Sequence, residues 1–218
     1  MSEPGPSLRE RQAQLTRAEI LTAARTLFAE RGYSRTSVRD IAASAGVSAQ
    51  TVYDSIGSKQ AVVARLNDLI DEEAGIREIA GAARGSTDAP EVAATSARVT
   101  RSILEHCGDI VHALVTGAAA EPDLASVLAD GRRRHIAGAG MTVRLLQELD
   151  ALAPGLDPQA AVDTLSAVSD VEFAMMLRDS YGWSLDRIEA WITETSRALL
   201  LAAVWGGGLD RPTAAESD

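Results

Sequence analysis

Apolar residues recur at intervals of three and four along most of this chain, which is the spacing of helices that bury one face. Short breaks rich in Gly, Ser, Asp and Pro separate these segments. Apolar residues make up 46% of the 218 residues but aromatic residues only 4%, and Ala, Leu and Val dominate. The sequence therefore predicts an all-α protein, large enough to bury a sizeable core in one or two domains.

The stretch from Thr36 to Lys59 predicts two short helices joined by a tight turn. Ser37 and Asp40 form a Ser-x-x-Asp start, a variant of the capping box in which side chains satisfy the first backbone N–H groups. Gly46 supplies the turn, where the backbone can need a positive φ. Ser48 caps the second helix. This is the pattern of a DNA-binding helix-turn-helix.

The same region, taken over residues 12–65, resembles the N-terminal domain of TetR-type (tetracycline-repressor-like) regulators. The residues that carry the resemblance, in order and without gaps, are Gly32-Tyr33, Thr36-Ser37-Val38, Ile41-Ala42, Ala45-Gly46-Val47-Ser48, Thr51-Val52-Tyr53, Ile56 and Ser58-Lys59. The resemblance implies that the helix opened by Ser48 enters the major groove of double-stranded operator DNA. Two residues depart from the family pattern, which usually has an aromatic residue at Ile56 and often a basic or aromatic one at Asp54. The operator sequence therefore does not carry over from any relative.

The DNA contacts are expected to divide into two kinds. The resemblance implies phosphate contacts for Thr36, Thr51, Tyr53 and Lys59. The outward face of the second helix is expected to meet base edges through Ala49, Gln50 and Asp54. A glutamine can pair with adenine there, and an aspartate can accept from cytosine N4. The full expected DNA-binding set adds Arg17, Ser37 and Ser48.

The charge is divided unevenly along the chain. The formal net charge is −10, yet residues 1–60 hold eight Lys and Arg against six Asp and Glu, whereas residues 61–218 hold thirteen against twenty-five. An acidic bulk away from the DNA end keeps a protein soluble and opposes non-specific adhesion to DNA. The division is thus compatible with a DNA-binding protein.

Three segments follow from these patterns: a mobile N-terminal arm over residues 1–11, a helix-turn-helix DNA-binding domain over 12–58, and a ligand-sensing and dimerisation domain over 59–218. The arm carries Pro, Gly and two arginines, so it either reaches along the DNA or is a tail without a role. The first helix is expected from a Thr-x-x-Glu capping box at Thr16 and to end at Gly32.

The sensing half predicts six helices, which span approximately residues 59–79, 90–107, 109–120, 123–152, 158–181 and 184–205. A loop rich in Gly, Ser and Asp is expected over residues 81–90. Gly108 is expected to stop the second of these helices, and Gly138 and Gly140 to bend or split the fourth.

The last two of these helices are apolar over much of their circumference, which predicts burial on two sides. One side can be the domain's own core and the other a second copy of the chain. In the family this pair forms a four-helix bundle across the dimer, so the resemblance implies a homodimer. The expected interface residues are Leu165, Val168, Met175, Ile188, Trp191, Ile192, Thr195 and Leu199.

A small-molecule site is expected between the helix that starts at Lys59 and the helices between Pro90 and Leu152. Its expected lining is Leu66, Ile70, Ile103, His106, Cys107, Val111, His112, Val115, Thr116 and Phe173. Because these faces carry few aromatic residues and almost no fixed charge, the ligand is expected to be largely apolar. His106, His112 or Thr116 would meet its polar end. The run from Arg132 to His135 either holds an anionic effector or is a solvated helix face.

Other chemistry finds little support in the sequence. The single cysteine, Cys107, excludes an internal disulfide, and three scattered histidines leave no zinc-ligand spacing, so no metal or cofactor is expected. Neither a signal peptide nor an apolar run of membrane-spanning length is present, which favours the cytoplasm. An enzyme using His106, Cys107 or the arginine run is an alternative of another class, but no catalytic constellation accompanies these residues.

The sequence thus predicts a homodimeric, one-component repressor that a small ligand releases from a near-palindromic operator. A regulator of the same fold that answers to a protein partner, or to no ligand, is the alternative. A closed apolar cavity in the C-terminal half would favour the ligand, and a filled core the alternative.

Overall fold

The computed structural model describes residues 7–201. Within that range the chain forms eleven helices: α1 Leu8–Arg31, α2 Val38–Ser44, α3 Ala49–Ser55, α4 Lys59–Glu73, α5 Ile76–Gly85, α6 Ala89–Ala93, α7 Thr95–Ala118, α8 Pro122–Glu148, α9 Pro158–Val168, α10 Val171–Tyr181 and α11 Leu185–Leu200. The β-type pairing in these residues is a single antiparallel bridge between Leu152 and Leu201. The predicted all-α fold is confirmed.

Helix α1 begins two turns before the predicted start at Thr16. Ser7 caps it: the Ser7 hydroxyl accepts from the backbone N–H of Glu10, and the Glu10 carboxylate accepts from the backbone N–H of Ser7. This capping box, rather than the one at Thr16, opens the helix. Residues 8–11, predicted as part of an arm, are therefore the first turn of α1, and residues 1–6 lie outside the described range. Gly32 ends the helix as predicted.

The helix-turn-helix forms as predicted. Ser37 and Asp40 make a complete capping box at the start of α2, with the Ser37 N–H donating to the Asp40 carboxylate at 2.8 Å. Gly46 has a φ of +67°, the left-handed conformation that the turn requires. The Ser48 hydroxyl accepts from the backbone N–H of Thr51 at 3.0 Å and so caps α3. Local side-chain chemistry thus fixes both helices of the motif.

The predicted helix over residues 59–79 is two helices in the structure. Helix α4 ends at Glu73 with Ala74 as its C-cap, and Gly75 takes the left-handed conformation with a φ of +58°. Helix α5 then runs to Gly85, through part of the segment predicted as a loop. The glycine lets the chain turn sharply here, so α4 alone leads from the DNA-binding helices into the sensing domain.

Gly108 does not stop α7. The helix runs on to Ala118 with a kink at Cys107, whose φ and ψ are −132° and 15°. A Cβ at position 108 would lie 3.1 Å from Nη1 of Arg178, so the glycine allows α10 to pack closely. Helix α8 likewise continues through Gly138 and Gly140. None of these three glycines ends a helix, and at Gly108 the glycine serves close packing.

The segment over residues 158–181 is divided at Ser169. The Asp170 carboxylate accepts from the backbone N–H of Phe173 at 3.0 Å and caps the new helix, α10. The buried Thr100 hydroxyl donates to the Ser169 carbonyl at 2.7 Å, which ties the break to α7. Helix α11 starts after Ser184 as predicted, and the end predicted at Trp205 lies outside the described residues.

Helix α7 is the centre of the C-terminal helices, which form the predicted sensing domain. It packs against α1 and α4 on the side of the DNA-binding domain, and against α8, α10 and α11 on its other sides. One continuous apolar core joins Ile20 of α1, Ile41 of α2 and Val52 of α3 to residues of α4, α7 and α11. A second core lies between α6, α8, α9 and α11. The DNA-binding helices thus share a hydrophobic core with the C-terminal helices and do not form a separately packed domain.

Candidate DNA-binding and ligand-binding sites

The outer face of α3 is polar and exposed. Gln50 and Asp54 lie one turn apart, and the Gln50 amide donates to the Asp54 carboxylate at 2.8 Å. Tyr53 is 52% exposed, which is unusual for a large ring that has no partner in the described residues. Ala49 is partly buried and packs against the core. Gln50, Tyr53 and Asp54 are therefore the side chains that this helix presents to solvent.

The hydroxyl groups around α3 and α2 serve first as helix caps. Ser48 and Thr51 are hydrogen-bonded to one another through their side-chain oxygens at 2.8 Å. The Ser37 hydroxyl is bonded to the Asp40 carboxylate at 2.6 Å. All three residues lie at the helix N-termini near the surface, where a backbone phosphate could be met by N–H groups as well. Arg17 is exposed on α1.

Thr36 does not have the position that a phosphate contact requires. Its side chain is buried, and its hydroxyl donates to the Gly32 carbonyl at 2.9 Å. Thr36 therefore holds the turn between α1 and α2, and the predicted phosphate contact is corrected to a structural role.

Lys59 lies against Tyr33 at the start of α4. Its Nζ is 3.8 Å from the centroid of the Tyr33 ring and donates to the Tyr33 carbonyl at 3.0 Å. An ammonium group has three donors, so Lys59 keeps the capacity to bind a phosphate. The Tyr33 hydroxyl donates to Asp123 of α8 at 3.1 Å, and burial with this bond raises the pKa of the Tyr33 phenol. The ring thus connects α4 to the beginning of α8.

Arg25 makes a second connection between the two halves. Its guanidinium donates two bonds to Asp109 of α7, at 2.5 and 2.6 Å, and one to Glu73 at the end of α4, at 2.6 Å. It also donates to the His106 carbonyl at 2.6 Å. Burial tends to raise the pKa of the Asp109 carboxyl, but the bonds from Arg25 outweigh it and hold that pKa below its ordinary value. The cluster fixes α1 to α4 and α7.

A cavity of about 420 Å³ lies between α4, α5, α7, α8 and the start of α10. Three predicted lining residues face it: Ile70, Ile103 and Val111. Arg132, Arg134 and His135, from the run that was a possible effector contact, also line it. The other wall residues, which sequence reasoning missed, are Asn67, Asp71, Ile76, Arg77, Ala80, Thr95, Ser96, Val99, Thr100, Leu114, Leu128, Gly131, Ala137, Gly138, Ala139, Met141, Thr142, Asp170, Val171 and Glu172. The surface of the wall is mostly apolar, and none of the residues between 7 and 201 that line it is Phe, Tyr or Trp.

The remaining predicted lining residues do not line this cavity. Those on α7 lie on faces of the helix other than the one that faces the cavity. Leu66 lines a small cavity of about 20 Å³ between the two domains. Cys107 is buried with its thiol 3.7 Å from the Glu73 carboxylate, and burial and that carboxylate raise the pKa of the thiol to about 12. The other misplaced residues are His106, His112, Val115, Thr116 and Phe173.

The contacts of these residues explain the error. His106 bonds through Nδ1 to the Ser102 carbonyl of its own helix at 2.9 Å. His112 and Thr116 are exposed, and the Thr116 hydroxyl donates to the His112 carbonyl. Phe173 is 37% exposed, with its ring centroid 5.7 Å from that of Trp191. The expected polar contacts at His106, His112 and Thr116 are therefore corrected.

The cavity wall also carries fixed charge, contrary to expectation. Arg134 donates to Asp71 at 3.1 Å, and Arg132 is bonded to Glu172. His135 bonds through Nε2 to the Ser166 carbonyl at 2.9 Å. Three members of the run from Arg132 to His135 therefore line the cavity, whereas Arg133 is exposed and pairs with Asp130.

Four residues predicted at the dimer interface are buried within one protomer. These four are Leu165, Met175, Ile188 and Ile192. They belong to the protomer's own core because α9, α10 and α11 pack onto α7 and α8. Val168, Trp191 and Thr195 are half-buried, and Leu199 is 40% exposed. Exposed apolar side chains nearby are Phe173, Met176 and Tyr181, so the apolar face that remains open lies on α10 and α11.

Residues 20–66 match the family described as bacterial regulatory proteins, tetR family. The N-terminal helices of this chain are therefore of TetR type. The TetR match covers the helix-turn-helix and most of α4, which are the elements that bear the exposed α3 face. Over 47 residues the chain is 49% identical to the HTH-type transcriptional repressor KstR2 of Rhodococcus jostii (strain RHA1). That similarity spans 22% of this chain and 23% of the relative's length.

Solved structures share the TetR fold over nearly the whole chain. SmeT of Stenotrophomonas maltophilia, in its complex with triclosan, has a TM-score of 0.71 at 21% identity, covering 93% of this chain and 100% of that one. NalD, the secondary repressor of the MexAB-OprM multidrug efflux pump in Pseudomonas aeruginosa, has a TM-score of 0.62 at 22% identity, covering 88% and 99%. At this identity the likeness shows the fold alone.

None of the helices between residues 7 and 201 has the length and apolar character needed to cross a bilayer. Nor do these residues bring together three His, Cys, Asp or Glu side chains in an arrangement that could hold a metal ion.

Proposed function

We propose that the chain is a homodimeric transcriptional repressor that binds a near-palindromic operator through α3 and releases it when a small molecule occupies the 420 Å³ cavity. The observation that carries the proposal is the course of α4. This helix begins at Lys59 beside the DNA-binding helices and brings Asn67, Ile70 and Asp71 to the cavity wall. One rigid element thus touches both proposed sites.

Recognition of DNA rests on the exposed face of α3. Gln50 and Asp54 are positioned for base edges in the major groove, with Tyr53, Thr51 and Lys59 near the backbone. The N-terminal region is the more basic part of an acidic chain, so electrostatic attraction favours this end. In a twofold dimer the two α3 helices would lie about 34–36 Å apart on the operator, one turn of B-DNA.

Release requires that the ligand bind one arrangement of the two DNA-binding domains of the dimer more tightly than the other. A ligand with equal affinity for both arrangements would not change their populations. A ligand in the cavity contacts α4 directly and can change its position relative to α7 and α8. By linkage, operator DNA lowers the affinity for the ligand by the same factor as the ligand lowers the affinity for DNA.

The related proteins support this proposal. KstR2 is named as a transcriptional repressor, NalD as an efflux-pump repressor, and SmeT has been solved with triclosan bound. A cavity of a few hundred Å³ with some polar groups is typical of ligand sites and favours a small molecule over a protein partner. An enzymatic role has less support, since His106 and the buried Cys107 are engaged in structural contacts.

The test is selection of binding sites from random duplex DNA, followed by mobility-shift titration. The parent chain should select a sequence with twofold symmetry. Gln50→Ala should cost about 1–3 kcal/mol at one symmetry-related base position and relax the preference there. Asp54→Ala should alter the same region of the profile because the two side chains are bonded to each other.

The chain offers a matched control. Gln159 and Asp163 on α9 form the same exposed pair, four residues apart, with a bond of 2.9 Å. Gln159→Ala removes that pair far from α3 and should leave the profile unchanged. An unaltered profile for Gln50→Ala would show that α3 does not read the bases as proposed.

A further inference from the structure

The wall of the cavity, called the channel below, extends along much of α7 and α8. Along α8 its wall runs from Leu128 to Thr142, which is about 20 Å at the rise of an α-helix. Along α7 it runs from Thr95 to Leu114. A volume of about 420 Å³ spread over that length accommodates an extended chain or a narrow fused-ring skeleton. The shape therefore favours an elongated occupant.

Asn67 lies near the end of this channel closest to the DNA-binding domain. Val63, one turn earlier on α4, and the adjacent Leu66 face the small interdomain cavity together with Phe28 and Tyr33. Its amide oxygen lies 3.5 Å from the point that a Cβ of Gly131 would occupy. Asn67 thus projects from α4 towards α8 across the channel.

The Asn67 side chain has no hydrogen-bond partner within residues 7–201, although it is only 5% exposed. Its amide atoms are not among the fully enclosed unpaired atoms, which in this range are the Thr95 and Ser196 hydroxyls. They therefore contact the open space of the channel. Buried polar groups are nearly always paired, so an unpaired amide in a channel wall points to a group that enters the channel.

The charges around Asn67 decide which kind of group fits. Asp71, four residues further on the same face of α4, is held by Arg134, which also binds Asp68 and Asp130. An anion beside Asn67 would be repelled by these carboxylates, and Arg134 is already paired with them. A cation would have to compete with Arg134 for Asp71. An uncharged carbonyl or hydroxyl pairs with the amide and disturbs neither.

The other charged groups of the wall lead to the same conclusion. Arg132 is paired with Glu172, and the Asp170 carboxylate accepts the Phe173 N–H. Arg77 is exposed, so it stands at the rim and not in the interior. His135 is bonded to the Ser166 carbonyl, and the rest of the wall within residues 7–201 consists of small hydroxyl residues and apolar residues without Phe, Tyr or Trp.

We propose that the occupant of the channel is an elongated, uncharged, largely aliphatic molecule whose carbonyl or hydroxyl group hydrogen-bonds with the Asn67 amide. Asn67 is then a specificity-determining residue. This inference rests on the proposed function for the role of the occupant as an effector. The binding itself is tested without DNA.

Four probes of equal chain length separate the alternatives: decan-2-one, decan-1-ol, decanoate and decylamine. At pH 7 the two uncharged probes are kept below their solubility limits and the two ions below their micelle concentrations. In isothermal titration calorimetry the ketone and the alcohol should bind at least about tenfold more tightly than the two ions, since a buried unpaired charge is costly. Asn67→Leu should weaken the ketone and the alcohol about 3–10-fold, the loss of one neutral hydrogen bond.

Ser196→Ala is the matched control. Ser196 on α11 is buried with an unpaired hydroxyl, like the Asn67 amide, but it does not line the cavity, so its removal should leave probe affinity within about twofold. A second readout guards against a folding defect. Without a probe, Asn67→Leu should unfold at the parent's temperature or above it, because it removes an unpaired buried amide; a merely structural asparagine would make the variant less stable.

The inference is overturned if decanoate or decylamine binds better than the ketone, if neither uncharged probe binds, or if Asn67→Leu binds the ketone as tightly as the parent. The experiments distinguish failure of this inference from failure of the proposed repressor function. A ketone that binds through Asn67 but leaves the selected operator bound would contradict ligand-controlled release and uphold the site. Failure to select an operator would contradict the repressor and leave the calorimetric result standing.

Discussion

Replacing Arg25 by Met removes the ion-pair cluster that joins α1 to α4 and α7. The guanidinium makes three short bonds to the carboxylates of Asp109 and Glu73 and one to the His106 carbonyl. Bonds to charged groups contribute about 1.5–3 kcal/mol each, but exposed pairs only about 0.2–1 kcal/mol. The Arg25 side chain is 25% exposed and both carboxylate side chains are 38% exposed, so solvent screening reduces the total. We expect a loss of about 2–3 kcal/mol at pH 7.

In a chain of this size such a loss lowers the melting temperature by about 4–12 °C. The loss should depend on pH with a defined sign. Arg25 holds the pKa of Asp109 below its ordinary value, so the stabilisation is present above the pKa of an unfolded aspartate, about 3.9, and disappears as the pH falls through the lower folded value. The difference between parent and Arg25→Met should therefore be constant from pH 7 to about pH 5 and shrink below about pH 4.

The assay is thermal unfolding followed by circular dichroism, together with operator titration. Arg101→Met is the matched control, since Arg101 binds Asp186, Glu189 and Glu105 within the sensing domain. Both variants should lose stability, but only Arg25→Met should change operator affinity or its response to a ligand. Equal effects of both variants on operator binding, or a difference that persists unchanged at pH 3, would refute this reasoning.

Two further predictions concern the cavity and the dimer. Val111→Trp should fill the channel and abolish calorimetric binding of decan-2-one while operator affinity stays within about twofold, because Val111 lies in the wall far from α3; retained binding of the ketone would place the ligand elsewhere. Met176→Glu, on the exposed apolar face of α10, should raise the dimer dissociation constant at least about 100-fold in sedimentation equilibrium, since an unpaired charge in an interface costs about 3–5 kcal/mol. Ile136→Glu, at an exposed apolar position on α8, is its control and should remain dimeric.

The DNA-binding helices could be predicted because their boundaries are set by neighbouring side chains. Ser37, Asp40 and Ser48 bond to backbone groups within three residues, and Gly46 meets a local conformational need. The pattern of the motif therefore contains nearly all the information that folds it. Thr36 is the exception, because its burial depends on how the turn packs against α1.

The sensing half could be predicted as helical but not in its boundaries. Gly75 breaks a helix, whereas Gly108 and Gly138 do not, although each costs a helix about the same, near 1 kcal/mol. Packing decides between these outcomes, as the close approach of Arg178 to Gly108 shows. Because packing also decides which helix faces meet, the sequence misplaced most of the proposed ligand site. Asn67 was the detectable signal, a lone asparagine on the apolar face of α4 between Val63 and Ile70.

The contacts of Tyr33 with α4 and α8 indicate how an occupant of the channel acts on DNA in the proposed mechanism. Helix α4 carries Asn67 in the channel and Lys59 against Tyr33, while α8 carries Gly131 in the channel and Asp123 bonded to the same tyrosine. An occupant that separates α4 from α8 at Asn67 must therefore either move Tyr33 with one helix or weaken its bond to the other. A single hydrogen bond or cation–π contact is worth about 0.5–2 kcal/mol. That range overlaps the 1–3 kcal/mol typical of coupling between sites, so the tyrosine contacts could supply a substantial part of the change in operator affinity.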